Sequence, residues 1–147
     1  SIRASTRKAA EMIGRPFDRS TFVLAHIGGG ISVAAVRNGK IVDNTIALLG
    51  DGSSLYTIQA LWTAAKENLP VTYVILNNGG YEALIGIARR WQTPSVGTDL
   101  SGMDFVSLAQ GFGMTASRAT TTAQLEKALA SSFASARPCL IDVMVED

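Results

Sequence analysis

Apolar positions along this chain follow two rhythms, and the switches between them mark its elements. Ala4 to Ile13 carries apolar residues at helical spacing, stopped by Gly14 and by Pro16 just beyond. Thr21 to Ile27 and Ile31 to Val36 are dense in β-branched and apolar residues and predict strands. Asn38-Gly39 is a two-residue hairpin turn leading into Lys40 to Val42. Thr45 to Leu49 is a further strand, read either as separate from Lys40 to Val42 or as continuous with it. Leu55 to Glu67 predicts a helix with Leu55, Ile58, Leu61, Trp62 and Ala65 on one face. Pro70 ends that connection, and Val71 to Leu76 is a nearly unbroken apolar run, as in a central parallel strand. Tyr81 to Trp91 reads as a helix and Gln92 to Gly102 as a surface loop. Phe105 to Gly111 follows as a short helix and Met114 to Arg118 as a short strand. Thr121 or Thr122 caps a helix running to about Ala134, and Leu140 to Val145 closes the chain as a buried strand.

From Thr45 onward strand and helix alternate, which predicts a parallel sheet covered on both faces. The front adds a helix and an antiparallel hairpin. The expected fold class is therefore α/β: a layered, mostly parallel sheet with an N-terminal helix and hairpin that make it mixed. All 147 residues are expected in one domain. A hairpin at the sheet edge leaves strand hydrogen bonds open, so a homodimer or a segment-exchanged oligomer is expected.

Composition narrows the partners. A net charge of +1 without a basic run points to neither nucleic acid nor a membrane surface. No apolar stretch approaches the length of a membrane span, and the first residues lack the apolar core of a secretory signal. Cys139 stands alone, which excludes an internal disulfide and a zinc cluster and fits a reducing, cytoplasmic compartment.

The candidate chemistry lies between Leu49 and Tyr81. A strand ending at Leu49 places Gly50-Asp51-Gly52 at a carboxyl end, where open α/β sheets bind ligands. The run from Ser54 to Lys66 then starts a helix, whose free N–H groups favour phosphate. Asp51 offers a hard carboxylate and Asn78 a neutral amide oxygen, both suited to Mg²⁺. One strand, one helix and the next strand bring these two residues side by side. The pattern reads as a Mg²⁺-diphosphate site.

The wording GDGSSLYTIQALWTAAKENLPVTYVILNNGGY resembles the diphosphate-binding domain of thiamine diphosphate enzymes, nearest to their 2-oxoacid decarboxylases. The resemblance continues through GMDFVSLAQGFGM and PCLIDVMVED. It implies that Asp51, Asn78 and the Gly80 carbonyl hold the metal. Gly50, Gly52, Ser53 and the backbone near Tyr81 would hold the diphosphate. It also places Leu84 as a candidate lining of the substrate pocket, or as a core or interface residue where the opposite wall is missing. Arg89-Arg90-Trp91 reads as the solvated end of a helix.

The first 45 residues read differently. RKAAEMIGRPFDRSTFVLAHIGGGISVAAVRNGKIVDNT resembles a fragment of butyrate kinase and its acetate kinase relatives. That likeness makes His26, Gly28, Gly29 and Gly30 a vestigial phosphate-contacting turn; the plainer reading is a structural His26 and a flexible glycine turn between strands. The chain thus looks like a chimera, residues 1–45 joined to 46–147 between Asn44 and Gly50, made in a laboratory by recombination or selection for folding. In the thiamine diphosphate family the cofactor is activated by a glutamate of a separate domain, expected to be missing here. The expected function is a folded chimera without catalytic activity that requires no cofactor. The alternative is a residual module for Mg²⁺ and thiamine diphosphate, and the least favoured reading is a decarboxylase or acyl-phosphate kinase.

Overall fold

The computed structural model describes residues 2–27, 30–37, 40–41 and 45–145, with side chains over 7–20 and 45–145. The expected Asn38-Gly39 turn, Gly28 and Gly29 lie outside the described residues. Helix α1 (Ile2–Met12) precedes three strands, β1 (Thr21–Ile27), β2 (Gly30–Arg37) and the short β3 (Lys40–Ile41). β4 (Thr45–Gly50) leads into α2 (Asp51–Ser54), a 3₁₀ turn over Leu55–Thr57, and α3 (Ala60–Lys66). There follow β5 (Val71–Asn77), α4 (Glu82–Trp91), α5 (Phe105–Gly111), β6 (Thr115–Ala119), α6 (Thr122–Ser135) and β7 (Cys139–Met144).

The strands form one sheet in the order β1-β2-β4-β5-β7-β6, with β3 beside β2. β4, β5, β7 and β6 run parallel to one another, whereas β2 runs antiparallel to both β1 and β4. β3 pairs with β2 through Val36–Ile41 and Arg37–Lys40, and β4 pairs with the same strand further along, from Val33–Ile46 to Gly30–Leu49; Val42, Asp43 and Asn44 between them lie outside the described residues.

Two layers of helix cover the parallel block. Alternate residues of a strand face opposite ways. Ile75 and Leu140 join Leu61 of α3 and Phe105 and Ala109 of α5 in the main core, with Met114 beside them. On the other face the buried Ser132 of α6 meets the Thr72 hydroxyl and accepts a bond from Cys139 Sγ at 3.0 Å.

The helix expected over Leu55 to Glu67 begins earlier and is broken. Gly50 precedes its first turn, and the Ser54 hydroxyl donates back to the Asp51 carbonyl at 2.7 Å. Such back-bonding competes with the regular ladder and bends helices, and the 3₁₀ turn follows directly. The bend changes which residues face inward: Leu61 and Ala64 are buried, while Trp62 is exposed beneath the Lys66 ammonium.

Asp104 caps α5, accepting from Ser107 N at 3.3 Å and from the Ser107 hydroxyl at 2.6 Å, and pairs with Arg118 at 3.1 Å. The Ser107 hydroxyl bond, more than the other contacts, holds its carboxyl below the usual range. A depressed native pKa adds stability above the unfolded value, and that contribution disappears as pH falls through the native one. Asp104→Asn is therefore expected to flatten the acid limb of the stability–pH curve, below about pH 4, in denaturant titrations.

Candidate functional site

β4 and β5 are neighbouring parallel strands in register Gly50–Leu76, so their carboxyl ends deliver Asp51 and Asn78 to the same edge of the sheet. The two lie in a cleft of about 350 Å³ lined also by Gly52, Ser53, Gly80 and Tyr81. Asp51 is only 3% exposed. Its Oδ1 accepts from Gly52 N at 2.7 Å and its Oδ2 from Gly80 N at 3.0 Å. Among the described residues no lysine or arginine pairs with this carboxylate. Buried carboxylates ordinarily have a cationic partner or hold a metal.

Two donors expected to face a diphosphate are engaged otherwise. The Gly52 N–H bonds the Asp51 carboxylate, and the Tyr81 N–H donates to the Thr98 carbonyl at 2.9 Å. The donors near Tyr81 that lack a place in the helical ladder are those of Glu82 and Ala83, in the first turn of α4. Gly50 and Ser53 line the cleft.

The Tyr81 ring lies against Gly52. A Cβ at residue 52 would overlap ring carbons Cδ1 and Cε1 and stand 3.1 Å from Cγ. Gly52→Ala is therefore expected to cost about 1–3 kcal/mol, as overpacking does, and to become nearly neutral in a Tyr81→Ala background. Denaturant titration of the four-protein cycle measures that coupling.

Leu84 lines the same cleft and is 48% exposed, so it is not a core residue. Leu76 and Val145 complete an apolar rim around the polar floor. Arg89, Arg90 and Trp91 are exposed at the end of α4, where Arg89 pairs with Glu82 at 3.2 Å. The kinase-like turn reaches this end of the sheet through its backbone: Gly30 pairs with Leu49, one residue before Gly50, and His26 pairs with Ser32.

Several supporting residues were not singled out in the sequence. Thr98 and Leu100 pin the loop over the turn, with Leu100 N donating to the Gly79 carbonyl at 2.8 Å. Gly79 has φ +77°, a conformation that favours glycine. The Asn77 side chain accepts from Gly79 N at 3.1 Å and donates to Asp142 at 3.0 Å. The signal for Asp142 was present: a lone acid inside an apolar strand, LIDVM.

Among the described residues no helix is long and apolar enough to cross a membrane. The family model described as "Thiamine pyrophosphate enzyme, C-terminal TPP binding domain" matches residues 7–143, a span that begins well before the expected junction between Asn44 and Gly50. Benzoylformate decarboxylase of Pseudomonas aeruginosa is 43% identical over 128 residues, covering 84% of this chain and 24% of the relative. The solved thiamine diphosphate-dependent 4-hydroxybenzoylformate decarboxylase of Rhodococcus jostii superposes with a TM-score of 0.66 at 41% identity, over 69% of this chain and 19% of that one. A 50-residue stretch, 34% of this chain, is 54% identical to the "Probable butyrate kinase" of Listeria monocytogenes, of which it covers 14%. The chain thus spans about a quarter of the length of its decarboxylase relative. A match over nearly the whole chain, on an α/β sheet that ends in the Gly50-Asp51-Gly52 turn, places this protein in the thiamine pyrophosphate enzyme family, in its C-terminal TPP-binding domain.

Proposed function

We propose that this chain is a binding module for Mg²⁺ and the diphosphate of thiamine diphosphate, and that these 147 residues by themselves turn over no substrate. The observation that carries this reading is the Asp51 carboxylate: buried, held by two backbone amides, and without a cationic partner among the described residues. Mg²⁺ is commonly bound by one or two carboxylates plus phosphate oxygens, so the donor set fits. Asp51, the Asn78 amide oxygen and the Gly80 carbonyl would hold the metal. Ser53 and the first turn of α4 would face the diphosphate. When bound, thiamine diphosphate supplies the carbanion-stabilising chemistry of its family. The part of these residues is to bind and orient; the resemblance places the activating glutamate in a separate domain.

The butyrate kinase match favours a second reading alongside the first: a chimera in which kinase-like strands replace the segment that precedes the β4 strand. β1 then stands at one end of the strand order, presenting TFVLAHI as an edge. Long apolar edge strands pair with other chains, so we propose a homodimer or a segment-exchanged oligomer.

Thermal melts at two protein concentrations, with and without Mg²⁺ plus thiamine diphosphate, test both readings. At a hundredfold excess over the dissociation constant, a native-state ligand adds about 2.7 kcal/mol and raises the midpoint. No ligand-dependent rise would overturn the binding reading. A midpoint independent of protein concentration would count against the oligomer. Release of carbon dioxide from a 2-oxoacid above background would overturn the absence of activity.

A further inference from the structure

Asp142 is fully buried in β7, hydrogen-bonded through its strand to both β5 and β6. Its two oxygens point to two different partners. Oδ2 accepts from Arg118 Nε at 2.9 Å, and Oδ1 accepts from Asn77 Nδ2 at 3.0 Å. Asn77 is itself 5% exposed, and its side-chain oxygen receives the Gly79 N–H. The next amide, Gly80 N–H, is the one that holds Asp51. A continuous polar chain therefore runs from Arg118 through Asp142 and Asn77 to the turn that faces Asp51.

The direction of each bond in this chain is fixed by charge. A carboxylate has no donor, so Asp142 forces the Asn77 amide to present its NH₂ to strand β7 and its oxygen to Gly79. Arg118 adds the positive charge that keeps the acid compensated in the interior. A buried ion pair is weak support for stability, since well-packed apolar residues often serve as well. Its presence in an otherwise apolar strand is better explained by the orientation it imposes on Asn77.

We infer that Asp142 is a positioning residue for the ligand turn: by orienting the Asn77 amide it sets residues 78–80 against Asp51. The inference rests on the Mg²⁺-diphosphate reading for its consequence in binding, and on the Asn77–Gly79 bond alone for its consequence in the free protein.

Asp142→Asn tests it. The new amide turns its oxygen to the Arg118 guanidinium, because bonds to charged groups are the stronger ones. Its NH₂ then faces Asn77, which must flip, and the Gly79 N–H meets a donor in place of an acceptor. Amide exchange at Gly79 and Gly80 in the free protein is expected to rise about tenfold, with Ile75 and Ile141 unchanged, and the dissociation constant for Mg²⁺-thiamine diphosphate to rise about tenfold. The swap Asn77→Asp with Asp142→Asn restores an acceptor for Gly79 and keeps the total charge, so it is expected to return exchange and affinity to wild-type values. Unchanged exchange in Asp142→Asn, or a swap that fails to fold or to restore protection, would overturn the inference. Should the wild type bind no Mg²⁺-thiamine diphosphate, the binding reading fails, and the exchange comparison still decides the role of Asp142.

Discussion

Asp51→Ala is expected to abolish Mg²⁺-dependent diphosphate binding while leaving a folded protein of reduced stability. The two effects have separate origins in one carboxylate. Removing the charge takes away the buried acidic side chain of the cleft beside Asn78 and Gly80; Glu82, which also lines it, pairs with Arg89 instead. Loss of one partner from a buried ionic contact costs about 3–5 kcal/mol, roughly a hundredfold or more in affinity. The same change strips Gly52 N and Gly80 N of their acceptor. Both glycines are buried, and each unsatisfied buried donor costs about 1–3 kcal/mol. A domain stable by about 5–15 kcal/mol survives that loss. Asp51→Asn is the control for shape: its single oxygen can accept from one of the two amides, and its NH₂ opposes the other. Titration calorimetry with Mg²⁺ and thiamine diphosphate reads the first effect and denaturant titration the second. Undiminished binding in Asp51→Ala would show that the metal is held elsewhere.

The double role of Asp51 illustrates what the sequence could and could not convey. Its type and its place after an apolar strand were enough to mark it, because a strand end followed by Gly-Asp-Gly is a local pattern. Val71 to Leu76 was equally legible, since a run apolar on both faces belongs in the middle of a parallel sheet. The helix after Gly50 was less so. The Ser54 hydroxyl bonds back to Asp51, a contact that propensity does not register, and the resulting bend turned Trp62 outward. The bonds taken by Gly52 N and Tyr81 N were illegible for another reason. Thr98 comes from a loop that composition marks only as exposed and polar, yet it is the buried anchor that receives Tyr81 N. The link from Asn77 to Asp142 joins residues 65 positions apart, which only the β5–β7 register brings together. Local chemistry was therefore visible in the sequence, whereas the contacts that orient it depend on strand order.

Strand order also determines which core substitution reaches the site. Phe105→Ala is expected to be among the most destabilising single changes in this chain, by about 3–5 kcal/mol. Phe105 is fully buried at the start of α5 and packs with Leu61, Ile75, Ala109, Met114 and Leu140. Ile75 precedes Asn77 by two residues on β5, and Leu140 precedes Asp142 by two on β7. The same ring thus supports both strands that carry the turn. A cavity beneath them lowers the folded population without removing any group from the cleft. Binding at ambient temperature should change little while a few kcal/mol of stability remain, because nearly every molecule is then still native, and the loss appears in the melting midpoint. Saturating Mg²⁺ and thiamine diphosphate should then recover much of the lost midpoint, as mass action requires of a native-state ligand. Asp51→Ala, which retains the core and loses the site, should gain nothing from the same addition. Thermal melts of the two variants, each with and without ligand, therefore separate the residues that hold the fold from the one that holds the metal. A Phe105→Ala protein that stays unresponsive to ligand while remaining folded would mean that the core beneath β5 and β7 sets the geometry of the turn as well as its stability.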